Sequence, residues 1–312
     1  MMLLETCDNS FPCEHYKKPW MSGVAGKCGS TFNYCLNDFQ KNMASMSHTA
    51  KEEFVHCRYA FYLRYVLGIN VKDELTGEPL VAGRAWDEYA GAFHLGKKPT
   101  PLPPYVNERL KAKMRALAKA HGEFIKPNGG HGYKSQLWIK LVINGVQVAG
   151  AVDRAYDDHF VETKLSGRPE FYLKPHNMTS QLGTYFLANP KWEYCIMEVT
   201  RMPGTYMKND ETEYDYYKKV YQDIVKRPSY YFPGLNRKEG TFGIRVDRSD
   251  INIDRVEKEY SMVIDEMREC LKTAAYYHQY AGCHHPFECS YLPICTTDTI
   301  SETIYNTGGK RS

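Results

Sequence analysis

The stretch Gly150-Ala-Val-Asp153-Arg-Ala-Tyr-Asp157-Asp158-His-Phe-Val-Glu162-Thr163-Lys164 decides how this chain reads. Taken as two strands joined at the two-residue turn Asp157-Asp158, it sets Asp153 directly across from Glu162, because each lies four residues from its side of the turn. Opposed residues share a face of a sheet, and Lys164 follows Glu162 by the two-residue period of a strand. Two carboxylates and one ammonium therefore converge on one face. Two acids held this close are costly unless a cation sits between them. Hard oxygen ligands with room left for water suit Mg²⁺ or Mn²⁺. Such a metal lowers the pKa of water and stabilises charge on a phosphate oxygen. The competing reading is an ordinary hairpin with a charged, solvated face. Against it, Glu162 and Lys164 sit inside an apolar strand, with Phe160-Val161 leading in and Leu165 leading out.

Outward from this hairpin, Gln136–Asn144, Val146–Tyr156 and Phe160–Leu165 read as three successive strands with short polar turns, a meander. Upstream, Thr49 and Glu52 have capping-box spacing, and a helical pattern runs from them to Gly68. Two further helices are expected over about residues 82–95 and 105–122. Downstream, Pro175–Ala188 reads as a helix and Trp192–Val199 as a strand. A Tyr-rich, poorly patterned stretch follows, then a strand over Thr241–Val246 and a long helix over Ile253–Tyr280. The expected organisation is an irregular Cys-rich extension (1–46), one domain (47–298) and a loose tail (299–312). The fold class is α/β: a small mixed sheet flanked by helices.

The 312 residues are 43% hydrophobic and 25% charged, enough apolar content for a large core. A net charge of +3 permits nucleic acid as a partner without demanding it. Met1–Leu4 is far short of a signal-peptide core, and no run approaches the roughly 18 apolar residues of a membrane span. The expectation is a cytoplasmic protein, of a prokaryotic cell or a phage-infected host, with no membrane partner. Its ten cysteines would then mean metal more often than disulfides. Gly23-Val-Ala-Gly26-Lys27 lacks the spacing of a phosphate-binding loop, so the chain carries no nucleotide-driven motor of its own. Cys7, Cys13, Cys28 and Cys35 fall in Cys-x5-Cys-x14-Cys-x6-Cys, a set that either holds Zn²⁺ or stays as free thiols. Cys195 and Cys270 read as core residues.

Gly150-x-x-Asp153, Glu162-Thr163-Lys164 and the downstream Gln181-x-x-x-Tyr185 occur in order and close together. Together they resemble the PD-(D/E)XK nuclease superfamily, in particular its RecB-like branch. The resemblance implies that Asp153 and Glu162 bind the metal with help from the Thr163 carbonyl. It implies that Lys164 orients or activates the attacking water, and that Gln181 and Tyr185 position the DNA backbone. The family often has a His-Glu pair on an upstream helix. Here Gly83-Arg-Ala-Trp-Asp87-Glu88 occupies that place, so Glu88 or Asp87 is a candidate further ligand, or else an exposed helix acid.

A second segment, Phe54-Val-His-Cys57-Arg-Tyr-Ala-Phe-Tyr-Leu-Arg-Tyr-Val, resembles the first helix of the iron–sulfur members of that branch, which include AddB-type nucleases and CRISPR-associated exonucleases. The resemblance implies a [4Fe–4S] cluster on Cys57, Cys283, Cys289 and Cys295, closing a Cys-held C-terminal lobe. The alternative is zinc, with His284 or His285 among its ligands. The activity implied is metal-dependent hydrolysis of DNA phosphodiesters from an end, in concert with a helicase or integrase. The alternative is a non-catalytic DNA-binding subunit of such a complex. The 25 tyrosines, among them the pairs Tyr216-Tyr217, Tyr230-Tyr231 and Tyr276-Tyr277, suit stacking of single-stranded bases.

Overall fold

The structure is a computed structural model, and it describes residues 45–127, 134–273, 275–279, 283, 288–297 and 299–306. Cys7, Cys13, Cys28, Cys35, His284 and His285 lie outside the described residues. The chain divides into two compact units. One combines the described residues up to Leu75 with Lys140–Ala149 and the described residues from Glu257 on; the other combines Thr76–Ile139 with Gly150–Val256, as far as these are described. Both draw on the stretch read from sequence as one domain.

In the first unit, helix α1 (His48–His56) starts at Ser47, whose side-chain oxygen accepts the Ala50 N–H at 3.1 Å. The cap is therefore two residues earlier than the Thr49/Glu52 pattern predicts. A hydroxyl at Ser47 satisfies a free first-turn N–H, and Thr49 lies already inside the helix. The expected continuous helix to Gly68 is broken at Cys57, whose backbone is extended (φ −157°), and resumes as short turns over Arg58–Val66. Strand β1 (Ser45–Ser47) pairs in parallel with Gln147–Ala149. The long helix ends at Thr273 rather than Tyr280. The tail is not loose throughout: Asn70–Val71 (β2) pairs with Tyr305–Asn306 (β8). Tyr305 is buried, and its hydroxyl donates to the Ser290 carbonyl at 2.8 Å, so burial of one ring anchors residues that look structureless in sequence.

Strand β3 (Lys134–Ile143) turns at Asn144-Gly145, whose φ values of 48° and 73° are those of the tight turn that matches strand twist, into β4 (Val146–Ala155). In the second unit β4 runs antiparallel to β5 (His159–Ser166) with Arg154 opposite Val161 and Ala155 opposite Phe160. That is the register the turn at Asp157-Asp158 predicts, and one step further along it Asp153 faces Glu162. Strand β6 (Tyr194–Arg201) lies parallel to β5, with Lys164 beside Val199, and β7 (Ile244–Asp247) runs antiparallel to β6. The sheet is mixed. The expected strand from Thr241 begins three residues late, because Gly240 and Gly243 hold φ of 73° and 116°, outside strand conformations.

Helices α2 (Glu78–His94), α3 (Glu108–Phe124), α4 (Pro175–Ala188) and α5 (Glu213–Lys226) flank this sheet. Helix α5 is the Tyr-rich stretch that seems unpatterned in sequence. It buries Tyr216, Val220 and Ile224 at four-residue spacing against Leu110, Leu117 and Phe232. Tyrosines on its outer face obscure that stripe. Among the described residues no helix is long and apolar enough to cross a membrane.

Candidate active site

Each residue of this site comes from the second unit. On β4, the Asp153 carboxylate accepts the Thr163 N–H at 2.8 Å, so the hairpin itself orients the acid. On β5, Glu162 is 2% exposed, and its Oε1 accepts bonds from the Lys164 ammonium and from Gln181 Nε2, the latter at 2.7 Å. Its Oε2 is buried with no hydrogen-bond partner. From α4, the same Gln181 nitrogen also donates to the Tyr185 hydroxyl at 2.9 Å, and that hydroxyl donates to the Ala151 carbonyl at 3.0 Å. Gln181 and Tyr185 meet the strands because they are one helical turn apart. Gly150 makes room for the ring: a Cβ there would come within 3.1 Å of Tyr185 Cε1.

The electrostatics are those of crowded acids. Burial pushes Glu162 up to about 7, with Asp153 and Asp87 adding to the shift and Lys164 opposing it. Asp87 is likewise pushed up to about 7, by burial first and then by Asp153. Burial raises Asp153 too, against the Thr163 N–H and Lys164. Burial alone would lower Lys164, but Glu162, Asp153 and Asp87 outweigh it and raise it. Lys164 is therefore a firmly charged ammonium among three carboxyls, two of which favour a proton near neutrality.

Of the two acids on α2, Asp87 is the one within reach of Asp153, Glu162 and Lys164. Glu88 points elsewhere: it is exposed, and its carboxylate accepts the Thr100 N–H at 2.8 Å. The sequence reading misses one neighbour. Gln136 on β3 hydrogen-bonds the Asp153 carboxylate from a left-handed backbone (φ 51°). Nothing in the sequence marks a glutamine for that conformation. The opposite face of the sheet carries a separate buried ion pair, Arg154 with Glu198.

Among the described residues no three His, Cys, Asp or Glu side chains converge closely enough to hold a metal by themselves. The donors here instead suit a hard cation that keeps waters and borrows backbone or substrate oxygens. The unpartnered Glu162 Oε2 is the observation that fits such an ion. An unsatisfied buried acceptor costs on the order of 1–3 kcal/mol, and a cation removes that cost.

In the first unit, Cys57 and Cys283 are buried, and Cys289 and Cys295 are half-buried. Burial raises the Cys289 thiol, and the nearby Cys57 and Cys283 raise it further. The Cys289 N–H donates to the Cys283 carbonyl at 2.8 Å. Cys57 and Cys283 thus both lie within electrostatic reach of Cys289, without forming a ligating cluster among the described residues. Cys195 and Cys270 are buried, as the sequence predicts. The tyrosine pairs split: Tyr216 and Tyr231 are buried, whereas Tyr230 and Tyr277 are about half exposed.

No family model and no curated protein matches the sequence. Among solved structures, the chain is similar to a provisionally named exonuclease from Eubacterium rectale, with a TM-score of 0.37 and 9% identity over 70% of this chain and 89% of that one. It is also similar to a phage-related exonuclease from Haemophilus somnus 129PT, with a TM-score of 0.28 and 14% identity over 59% and 83%. At these values the likeness carries no functional argument, and the chemistry has to be read from the site's own residues.

Proposed function

We propose that the chain is a metal-dependent deoxyribonuclease of the PD-(D/E)XK type, RecB-like branch, acting at Asp153, Glu162 and Lys164. The observation that carries this reading is the Glu162 carboxylate. It is buried on one face with Asp153 and Lys164, and one oxygen has no donor. Asp153, Glu162 and the Thr163 carbonyl would hold Mg²⁺ or Mn²⁺, with Asp87 rather than Glu88 as the further acid. When bound, the ion supplies Lewis acidity, lowering the pKa of water and stabilising phosphate charge. Lys164 contributes a fixed positive charge to the developing phosphorane oxygens and orients the attacking water. Gln181 fixes the Glu162 carboxylate, and Tyr185 fixes Gln181, so the acid needs no reorganisation during reaction. An intact carboxylate–carboxylate–lysine set also weighs against a purely DNA-binding role.

Four finer assignments belong to the same reading. Cleavage starts from an end and favours single strands; a [4Fe–4S] cluster uses Cys57, Cys283, Cys289 and Cys295; a zinc site uses Cys7, Cys13, Cys28 and Cys35; a helicase or integrase supplies the partner. The deciding experiment is incubation of purified protein with end-labelled single- and double-stranded DNA, linear and circular, in Mg²⁺, Mn²⁺ or EDTA. The expected result is metal-dependent shortening of linear single strands. No cleavage in either metal would overturn the nuclease reading, and rapid cutting of circles would overturn the end requirement alone.

A further inference from the structure

Lys164 lies beside Val199, and two residues on Ser166 lies beside Arg201. Arg201 therefore leaves the same face of the sheet as Lys164, displaced along the strand by roughly 6–7 Å. Its guanidinium lies over the Tyr230 ring, 4.2 Å from the centroid, and that of Arg227 lies over the same ring at 4.6 Å. Each plane is held in place. Arg201 donates to the Tyr230 and Gly167 carbonyls at 3.2 Å and pairs with Glu170. Arg227 is fixed by the Asp223 carboxylate through Nε at 3.0 Å and Nη2 at 2.6–2.7 Å. Yet Tyr230 is 47% exposed and the Arg227 side chain 52% exposed. A large ring at the surface, with two guanidiniums against it, contributes little to the core. Its buried neighbour Tyr231 does the packing. Arg168 and Lys174, both exposed, add positive charge to the segment that follows Lys164.

We propose that the Arg201–Tyr230–Arg227 stack receives the nucleobase adjoining the scissile phosphate, which makes Tyr230 a substrate-binding residue that favours single strands. The proposal rests on the nuclease reading of the Glu162–Lys164 site. The offset along the strand is of the order of one nucleotide step of an extended strand. Base faces stack on aromatic rings and on guanidinium planes alike, whereas paired bases in a duplex hide their faces. The cations supply backbone attraction without sequence preference.

The test uses the full chain and a short fluorescent single-stranded oligonucleotide, with binding read by anisotropy in EDTA and rates read in Mg²⁺. Tyr230→Leu should weaken binding about tenfold, within the range of ring–base stacking, and raise KM with little change in kcat. Tyr230→Phe should restore both. On an oligonucleotide made abasic beside the scissile phosphate, wild type and Tyr230→Leu should bind alike. Equal binding of the intact strand by wild type and Tyr230→Leu would overturn the proposal. So would equal weakening on intact and abasic strands, even if cleavage proceeds and the nuclease reading stands. A wild-type chain that neither binds nor cuts DNA would overturn both readings together.

Discussion

Gln181 and Glu162 meet through one hydrogen bond of 2.7 Å, from the amide nitrogen to Oε1, and the same nitrogen reaches the Tyr185 hydroxyl at 2.9 Å. The helix thus dictates which way the buried acid points. Replacing Gln181 with Ala should leave the fold intact and lower cleavage by roughly 10–100-fold, the usual cost of losing an outer partner of a metal ligand. Initial rates across a Mg²⁺ titration check this, with the loss expected mainly in apparent metal affinity. Wild-type rates at every metal concentration would remove Gln181 from the site.

Glu162→Gln, Asp153→Ala and Lys164→Ala should each abolish cleavage at saturating Mg²⁺. An amide is a poor ligand for a hard cation, and Lys164 is the cation bonded directly to Glu162. Because Glu162 favours a proton near pH 7 without metal, binding of Mn²⁺ at pH 6 should also release protons and weaken relative to pH 8. Calorimetry in buffers of different ionisation enthalpy measures the release. Proton-neutral binding at pH 6 would contradict the raised acids.

His94 and His121 are buried on α2 and α3, with both ring nitrogens of His94 and Nδ1 of His121 unpartnered. Burial pushes His94 down to about 2 and His121 down to about 3, with Arg154 adding to both shifts. Above the unfolded value near 6.5 both states are neutral and the full stability is present. As pH falls below 6.5 the unfolded chain takes up protons that the folded chain refuses until about 3. Each histidine then lowers stability by about 1.4 kcal/mol per pH unit. Urea midpoints at pH 7.5 and 5 should differ more for wild type than for a variant with both residues changed to Leu. Parallel pH curves would refute the assignment.

Gly183 sits mid-helix in α4, where alanine is intrinsically better by about 1 kcal/mol. A Cβ there would meet Val256 Cγ2 at 2.7 Å and Cγ1 at 3.1 Å. Overpacking of a core costs about 1–3 kcal/mol, so the clash should win and Gly183→Ala should lower the melting temperature. A higher melting temperature would show that Val256 yields freely.

Anaerobically purified protein should be brown and carry about four irons per chain, and Cys57→Ser or Cys289→Ser should bleach it. Elemental analysis with absorbance spectra decides the point. Stoichiometric zinc in colourless protein would replace iron with zinc at these cysteines.

The hairpin register, the mixed sheet with its flanking helices, and the convergence of Asp153, Glu162 and Lys164 were legible in the sequence. Each follows from short-range rules: a two-residue turn, an alternating strand and a one-turn helical spacing between Gln181 and Tyr185. Other features were decided only by tertiary structure, because they depend on which way distant elements face. Asp87 rather than Glu88 turns to the acids, since adjacent helix positions point about 100° apart and packing of α2 chooses between them. Gln136 reaches Asp153 from a left-handed backbone that no local signal announces. Tyr230 is placed beside the strand ends by α5 and the turn after it, and Tyr305 is ordered by a partner strand more than 230 residues away in sequence. Local spacing fixes what one element can present; long-range packing fixes what it meets.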